Sequence, residues 1–220
     1  MQRLFLYPAE IVALRAVDFA EMTMVSSFYV GKCKVLGTYI HCRFFVSHFS
    51  ERKMIERFIS ILNEAIHMFY SNDRCLIERG GMEQACVSRI YYYLQTLMKY
   101  DTELNRYDLD CEYNKNGEEA KWCMDVDTGE KFKTRPDLIL HKRATNHNNQ
   151  VIIEFKGWWN NEYNSDVRKL RAFTNPDGIY RYQMGIFVKL NRDGPLYRYF
   201  KNSQEIEDLE SFPALRSSGF

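Results

Sequence analysis

The sequence predicts an α/β fold, because helical and strand-type patterns of apolar residues alternate along most of the chain. Apolar residues recur at the spacing of one helical face over residues 51–69 and 82–100, and a shorter helix is predicted over residues 164–173. Between the last two helices, apolar runs of strand length occur at Leu138–Leu140 and Val151–Ile153. This alternation indicates a sheet with helices packed against it.

The first 74 residues are predicted to form an accessory lobe of their own, residues 1–74. Residues 24–46 are rich in Val, Tyr, Phe and Thr, a composition that favours one or more strands. An amphipathic helix then opens at Ser50 and ends before the polar residues 71–73. This lobe contains no recognisable motif that carries chemistry.

The remaining chain is divided into a core over residues 75–203 and an acidic tail over residues 204–220. After the helix of residues 82–100, a strand is predicted over residues 104–113 and a returning strand over residues 120–126. The residues that join these two strands have the Asn and Gly composition of a hairpin turn. The core therefore begins with a helix and two strands.

Two more strands follow the helix of residues 164–173. Asn164, Ser165 and Asp166 are suited to cap this helix, and the turn-forming residues 175–178 end it. Strands are then predicted over residues 183–190 and 196–200. The predicted order in the core is helix, four strands, helix and two strands.

The amino-acid composition, net charge and length indicate a folded domain. A hydrophobic content of 45% with 15% aromatic residues is typical of a folded domain and excludes a disordered chain. The net charge of +1 gives no global signature of nucleic-acid binding, although a local basic patch can still attract an anionic polymer. A length of 220 residues suits one well-packed domain with an accessory lobe.

The cysteines and the amino terminus indicate the compartment. Six cysteines are widely spaced without a closely spaced pair, which argues against a structural zinc site and is typical of a reducing cytosol. The amino-terminal apolar residues are interrupted by Pro8, Glu10 and Arg15, so they form neither a signal peptide nor a transmembrane helix. We therefore expect a cytoplasmic protein without a membrane partner.

The most informative feature is a pair of acidic residues at the ends of the two apolar runs. Asp137 precedes the run Leu138–Leu140, and the run Val151–Ile153 leads directly into Glu154 and Lys156. Because side chains alternate along a strand, Glu154 and Lys156 share one face. If the two runs pair as antiparallel strands, Asp137 lies beside Glu154. Two carboxylates that share a divalent cation, with an ammonium group nearby, suit phosphodiester hydrolysis.

This pattern resembles the PD-(D/E)XK nuclease superfamily, which has the restriction-endonuclease-like fold. Pro136-Asp137 is followed after sixteen residues by Glu154-Phe155-Lys156, and each half lies on an apolar run. The resemblance implies a mixed central sheet flanked by helices, with one helix before the first strand and one after the second half of the motif. Residues 82–200 could supply these elements, so the resemblance covers a little over half of the chain.

The resemblance also implies a metal-dependent nuclease that acts on DNA and leaves 5′-phosphate and 3′-hydroxyl ends. Asp137, Glu154 and the backbone carbonyl of Phe155 would bind Mg²⁺, for which Mn²⁺ would substitute. Lys156 would stabilise negative charge on the phosphate, and a lowered pKa would let it assist proton transfer. Glu83, at the start of its helix, would add a metal ligand. A favourable interaction with the helix dipole explains Glu83 equally well.

Several other residues are candidates for nucleic-acid contacts. Arg168, Lys169 and Arg171 would give their helix a basic face that could contact phosphates, and Gln183 opens the next strand. A solvated helix surface and an ordinary edge strand explain these residues equally well. Trp158 and its neighbour Trp159 could stack on a base, but burial in the core is the favoured interpretation.

Two alternatives to a nuclease remain. The same fold could serve as a non-catalytic module that binds nucleic acid or a partner protein, in which case the motif would not bind a metal ion. The motif could also be a coincidence, in which case the structure would separate Asp137 from Glu154. RNA is left open as a substrate, and a homodimer would most simply make two cuts in a duplex.

Overall fold

The computed structural model describes the backbone of residues 18–25, 28–35, 38–44 and 46–206, and the side chains of residues 52–206. The chain divides into two compact units, Met1–Met54 and Ile55–Phe220. The described elements are, in chain order, β1 (Asp18–Val25), β2 (Phe28–Val35), β3 (Thr38–Phe44), α1 (Val46–Asn72), α2 (Arg74–Arg79), α3 (Glu83–Met98), β4 (Asp108–Cys111), β5 (Lys115–Asn116), β6 (Glu119–Ala120), β7 (Trp122–Met124), β8 (Lys131–Lys133), β9 (Leu138–His141), β10 (Val151–Gly157), α4 (Asn164–Phe173), β11 (Met184–Asn191), β12 (Gly194–Lys201) and β13 (Gln204–Ile206).

The first unit contains an antiparallel sheet in the order β1-β2-β3. The prediction of strands in this part of the chain is confirmed, although the first of them begins at Asp18 rather than near residue 24. The boundary between the two units falls within α1, which the sequence assigned as a whole to the accessory lobe. The division into residues 1–74, 75–203 and 204–220 stays a prediction.

The second unit is built on a six-stranded sheet in the order β13-β12-β11-β10-β9-β4. Among the described strand pairs of this sheet, only the central pair of β10 and β11 is parallel. The other four pairs of neighbouring strands are antiparallel. Helix α4 connects the two parallel strands, as a parallel pair requires a crossover connection. The prediction of a mixed α/β sheet flanked by helices is therefore confirmed at this level.

Burial explains why the central strands form where they do. All four residues of β9 are buried, and six of the seven residues of β10 are buried. Strands covered on both faces are typically continuous apolar runs rather than alternating ones. Leu170 and Phe173 of α4 pack with Ile139 and Ile152 in one buried cluster. The sheet therefore holds α4 against the face that carries Ile152.

Some elements differ from the sequence prediction. The strand predicted over residues 104–113 is wrong at its start, because the carboxylate of Asp101 accepts hydrogen bonds from the backbone N–H groups of Glu103 and Leu104 and holds a turn there. The strand predicted over residues 120–126 is split at Lys121. Helix α2 and strands β8 and β13 were not predicted, since all three are short. No helix in the described part of the chain is long and apolar enough to span a membrane.

Lys121 is a buried lysine at the edge of the core. Only 3% of the residue is exposed, and its ammonium group lies 4.7 Å from the ring centroid of Tyr113 and 5.6 Å from that of Tyr180. Burial lowers the pKa of Lys121 from 10.5 to about 8, although Cys123 and Asp110 act in the opposite direction. Cation–π attraction to the aromatic rings offsets part of the free energy lost when the charge is buried. Near neutral pH this lysine remains a net cost to folding.

We expect Lys121→Met to raise the free energy of unfolding near neutral pH by about 1–2 kcal/mol, because each unit of pKa shift corresponds to about 1.4 kcal/mol and the rings offset part of it. The unfolded state binds more protons than the folded state between about pH 8 and 10.5, so the wild-type protein gains stability across that window and the advantage of the variant shrinks. Urea denaturation at several pH values measures this difference. Lys133→Met, at an exposed position, is the control. A variant less stable than the wild type near neutral pH would contradict this account.

Candidate active site

The register between β9 and β10 brings the two halves of the motif together. Ile153 pairs with Leu138 in the antiparallel ladder, so the next residues along the two strands, Glu154 and Asp137, lie opposite each other. The Oδ2 atom of Asp137 accepts a hydrogen bond of 2.7 Å from the backbone N–H of Phe155. The arrangement expected from the sequence is therefore present, and the separation expected of a coincidental motif is not.

Glu154 is the most deeply buried acid of the site. It is 1% exposed, because β10 lies in the middle of the sheet with strands on both sides. Its Oε2 atom lies 2.6 Å from the Nζ atom of Lys169 on α4, whereas its Oε1 atom has no hydrogen-bond partner among the described residues. Strand alternation places Phe155 on the opposite face of the sheet.

Lys156 lies between the helices before and after the motif strands. Its Nζ atom is 3.3 Å from Oε1 of Glu83 at the start of α3 and 3.0 Å from Oδ2 of Asp166 on α4. The other oxygen of Glu83 accepts a 2.8 Å hydrogen bond from the backbone N–H of Gly157. Glu83 therefore contacts the motif strand directly, and its role as a metal ligand stays a prediction.

Two residues of α4 belong to this cluster although the sequence did not place them there. Asp166 is 3% exposed, and its carboxylate is shared between Lys156 and Lys169, which lies 3.1 Å away. The sequence assigned Asp166 to a helix cap and Lys169 to a basic outer face. The spacing of Asp166, Leu170 and Phe173 is the i, i+4, i+7 pattern of one helical face and was a signal that Asp166 points inward. Lys169 contacts carboxylates here, and a phosphate contact by it stays a prediction.

The cluster carries more negative than positive charge. Four carboxyl groups (Glu83, Asp137, Glu154 and Asp166) meet two ammonium groups (Lys156 and Lys169), which gives a net charge of −2 when all are ionised. Burial raises the pKa of Asp137 to about 6, against the hydrogen bond from Phe155 and the charge of Lys169. Burial, followed by the charge of Asp137, raises the pKa of Glu154 well above its usual value.

The two lysines remain protonated. Burial lowers the pKa of Lys156, but Asp166 and Glu83 outweigh this effect and hold the pKa above 10.5. The pKa of Lys169 is also raised, because the attraction of Glu154 and Asp166 exceeds the cost of burial. Without a bound metal the pKa of Lys156 is therefore raised, and the lowered pKa expected beside a metal ion stays a prediction. Lys156 is suited to stabilise negative charge as an ammonium group.

The carboxyl groups fit a divalent cation on two grounds. The Oε1 atom of Glu154 is a buried oxygen without a donor among the residues that the structure describes. A divalent cation would also neutralise the net charge of −2 that the cluster carries when all its groups are ionised, a state that the raised pKa values of Asp137 and Glu154 disfavour without a cation. Asp137 and Glu154 would hold the ion, with oxygen ligands of the kind that Mg²⁺ prefers. No group of three or more His, Cys, Asp or Glu side chains within residues 52–206 is arranged to hold a metal ion, and Lys169 contacts the carboxylates of both Glu154 and Asp166. Ligation by Glu83 and by the Phe155 carbonyl stays a prediction.

The other candidate contacts lie outside the cluster. Arg168 contacts Asp125, and Arg171 contacts Asp127, so the hairpin of β7 and β8 neutralises part of the expected basic face. Gln183 precedes Met184, which pairs with the first residue of β10, at the end of the strand remote from Lys156. Direct contacts of Arg168, Arg171 and Gln183 with nucleic acid stay predictions.

Comparisons with known proteins give little further information. No protein-family model and no curated protein matches the chain. One solved structure, the crystal structure of SSO0001, is similar with 13% sequence identity and a TM-score of 0.28, and the match covers 71% of this chain and 78% of that chain. A TM-score this low carries no argument about fold or function.

We expect Asp137→Asn to raise the free energy of unfolding in EDTA by about 1–2 kcal/mol near neutral pH, since about 1.4 kcal/mol corresponds to each unit of its raised pKa and the side chain is half-buried. The folded state takes up the proton near pH 6 and the unfolded state near 3.8, so the penalty from the ionised carboxylate grows across that window. The asparagine oxygen still accepts the N–H of Phe155. The gain should therefore disappear below about pH 4.

Denaturant titrations at neutral and acidic pH measure this effect, with Asp177→Asn at an exposed position as the control. Equal stabilisation by Asp137→Asn at both pH values would show that it arises from something other than the charge of Asp137.

Proposed function

We propose that the chain is a metal-dependent nuclease of the PD-(D/E)XK type with a restriction-endonuclease-like core, and that its substrate is DNA. The observation that carries the proposal is the meeting of Asp137, Glu154 and Lys156 in a cluster where four carboxyl groups outnumber two ammonium groups. A structural charge cluster has no need for such an excess, because unneutralised carboxylates in a buried site cost stability. A site that receives a divalent cation does need it.

The order of elements also supports the proposal. Helix α3 precedes the antiparallel strands β4, β9 and β10, and helix α4 then leads to β11, which is parallel to β10. This is the order that the resemblance implies, with the acidic motif on the second and third of these strands. The two-stranded hairpins of β5–β6 and β7–β8 are insertions in that order.

The residues of the chain would divide the work of hydrolysis as follows. Asp137 and Glu154 would hold a magnesium ion, and Glu83 and the Phe155 carbonyl oxygen would complete the set of oxygen ligands. When bound, the ion supplies charge neutralisation and activates a water molecule. Lys156, fully protonated, would hold the scissile phosphate and stabilise the charge that develops on it. Asp166 is a positioning residue, because its buried carboxylate fixes both ammonium groups.

The proposal includes what the resemblance implies for product, place and assembly. Attack of water on the phosphorus with departure of the 3′ oxygen leaves 5′-phosphate and 3′-hydroxyl ends. Mn²⁺ would replace Mg²⁺ in supporting cleavage. We place the activity in the cytoplasm, and a homodimer would supply the second cut in a duplex.

We expect purified protein to cleave supercoiled plasmid or single-stranded DNA with Mg²⁺ or Mn²⁺ and not with EDTA. Lys156→Ala and Asp137→Ala should each lower the cleavage rate by at least about 100-fold, the size of effect typical of losing a group that stabilises developing charge. The gel-based cleavage assay is run with Lys201→Ala, an exposed lysine on β12, as a matched control that should keep full activity.

Full activity in either site variant would remove the proposed site. If the wild-type protein does not cleave any of the substrates, calorimetry with Mn²⁺ separates the remaining interpretations. If the wild-type protein binds Mn²⁺ and Asp137→Ala does not, the proposed metal site stands. If the wild-type protein does not bind Mn²⁺, a non-catalytic module on the same fold is favoured.

A further inference from the structure

The carboxyl ends of the parallel strands β10 and β11 border an open pocket of about 520 Å³ that the catalytic proposal does not use. Trp158, two residues after Lys156, lines this pocket. Its backbone N–H donates a hydrogen bond to the carbonyl of Leu190 at the end of β11. It lies where ligands bind in many α/β sheets, outside the carboxyl ends of the strands. Its volume is within the range of small-ligand sites.

Trp158 and Arg192 form one wall of this pocket. The guanidinium carbon of Arg192 lies 3.9 Å from the centroid of the Trp158 ring. The indole N–H donates a 2.8 Å hydrogen bond to the carbonyl of Ile77, and the hydroxyl of Tyr70 donates a 2.6 Å hydrogen bond to the carbonyl of Asn191. These two bonds hold the ring and the turn between β11 and β12 in place, so the wall is built before any ligand arrives.

The chemistry of the wall is that of a stacking platform with a free cation. Arg192 is exposed and forms no ion pair within residues 52–206. Leu196, which also lines the pocket, is 63% exposed and contributes apolar surface to it. A planar aromatic group with an anionic substituent would stack on the guanidinium plane of Arg192 or on the ring of Trp158, and its anion would pair with the charge of Arg192.

We propose that this pocket holds an unpaired nucleobase of the strand whose phosphate lies at Lys156. The inference rests on the proposed nuclease function, because the position of the phosphate comes from it. Lys156 and Trp158 are separated by about 7 Å along an extended chain, a distance comparable to one nucleotide. A base in an intact duplex is paired and stacked and cannot enter the pocket. The substrate class is therefore single-stranded DNA or the frayed end of a duplex.

Binding of a fluorescein-labelled oligodeoxythymidine and of an abasic oligonucleotide of the same length tests this subsite, with fluorescence anisotropy measured in EDTA so that no cleavage occurs. Trp158→Leu removes the aromatic face and the hydrogen bond to Ile77, whereas Trp158→Phe removes the hydrogen bond but keeps a smaller aromatic face. We expect Trp158→Leu to weaken binding of oligodeoxythymidine by roughly 5- to 150-fold, the effect of losing one stacked base. Binding of the abasic strand should be unchanged, and Trp158→Phe should bind both strands like the wild type.

Arg192→Gln is the second variant, because it leaves the indole and its hydrogen bond untouched. It should weaken binding of oligodeoxythymidine more than binding of the abasic strand. Equal loss on both strands in Trp158→Leu, or the same loss in Trp158→Phe, would overturn the stacking subsite. Plasmid cleavage by the wild type distinguishes the two proposals. Cleavage without any effect of Trp158→Leu, or without binding of oligodeoxythymidine, overturns the subsite alone. Absence of cleavage, of oligodeoxythymidine binding and of Mn²⁺ binding in calorimetry overturns both.

Discussion

The excess of carboxyl groups over ammonium groups around Glu154 is the constraint on which the rest of the site depends. Glu154 is buried because β10 lies in the middle of the sheet, and its charge is therefore costly unless a cation accompanies it. Lys169 supplies one cation from α4, and Asp166 holds that lysine and Lys156 together. Burial is the largest cause of the raised pKa values of Asp137 and Glu154, and the charges of neighbouring carboxylates add to it.

The apolar core around the sheet stabilises the fold against the unfavourable burial of these carboxyl groups. Strands β9, β10 and β11 are almost entirely buried, and α4 packs Leu170 and Phe173 against Ile152 on the face that also carries Glu154. The burial of this apolar surface stabilises the sheet and offsets the unfavourable free energy of burying the carboxylates at one end of it. Shifted pKa values of this kind occur at functional sites and in structural ion-pair networks alike.

Local sequence pattern predicted the parts of the site that lie on strands. The apolar run that follows Asp137 and the run that precedes Glu154 defined both strands, and the structure pairs the two strands in an antiparallel register. Asp166 and Lys169 were assigned to a helix surface, since the inward face of α4 is decided by how the helix packs on the sheet. The ion pair of Arg171 with Asp127 links residues 44 positions apart and could not be inferred from local pattern. Short elements such as α2 have too few residues for a periodic signal.

We propose that Asp137 and Glu154 together hold a divalent cation. A crystal structure of the protein grown with Mn²⁺, with anomalous diffraction measured to locate the metal, is the sharpest test of this site. We expect an anomalous peak about 2 Å from carboxylate oxygens of both residues, with the Nζ atom of Lys169 moved away from Glu154. A well-ordered site with Lys169 still bonded to Glu154, and no anomalous peak between the two acids, would contradict it.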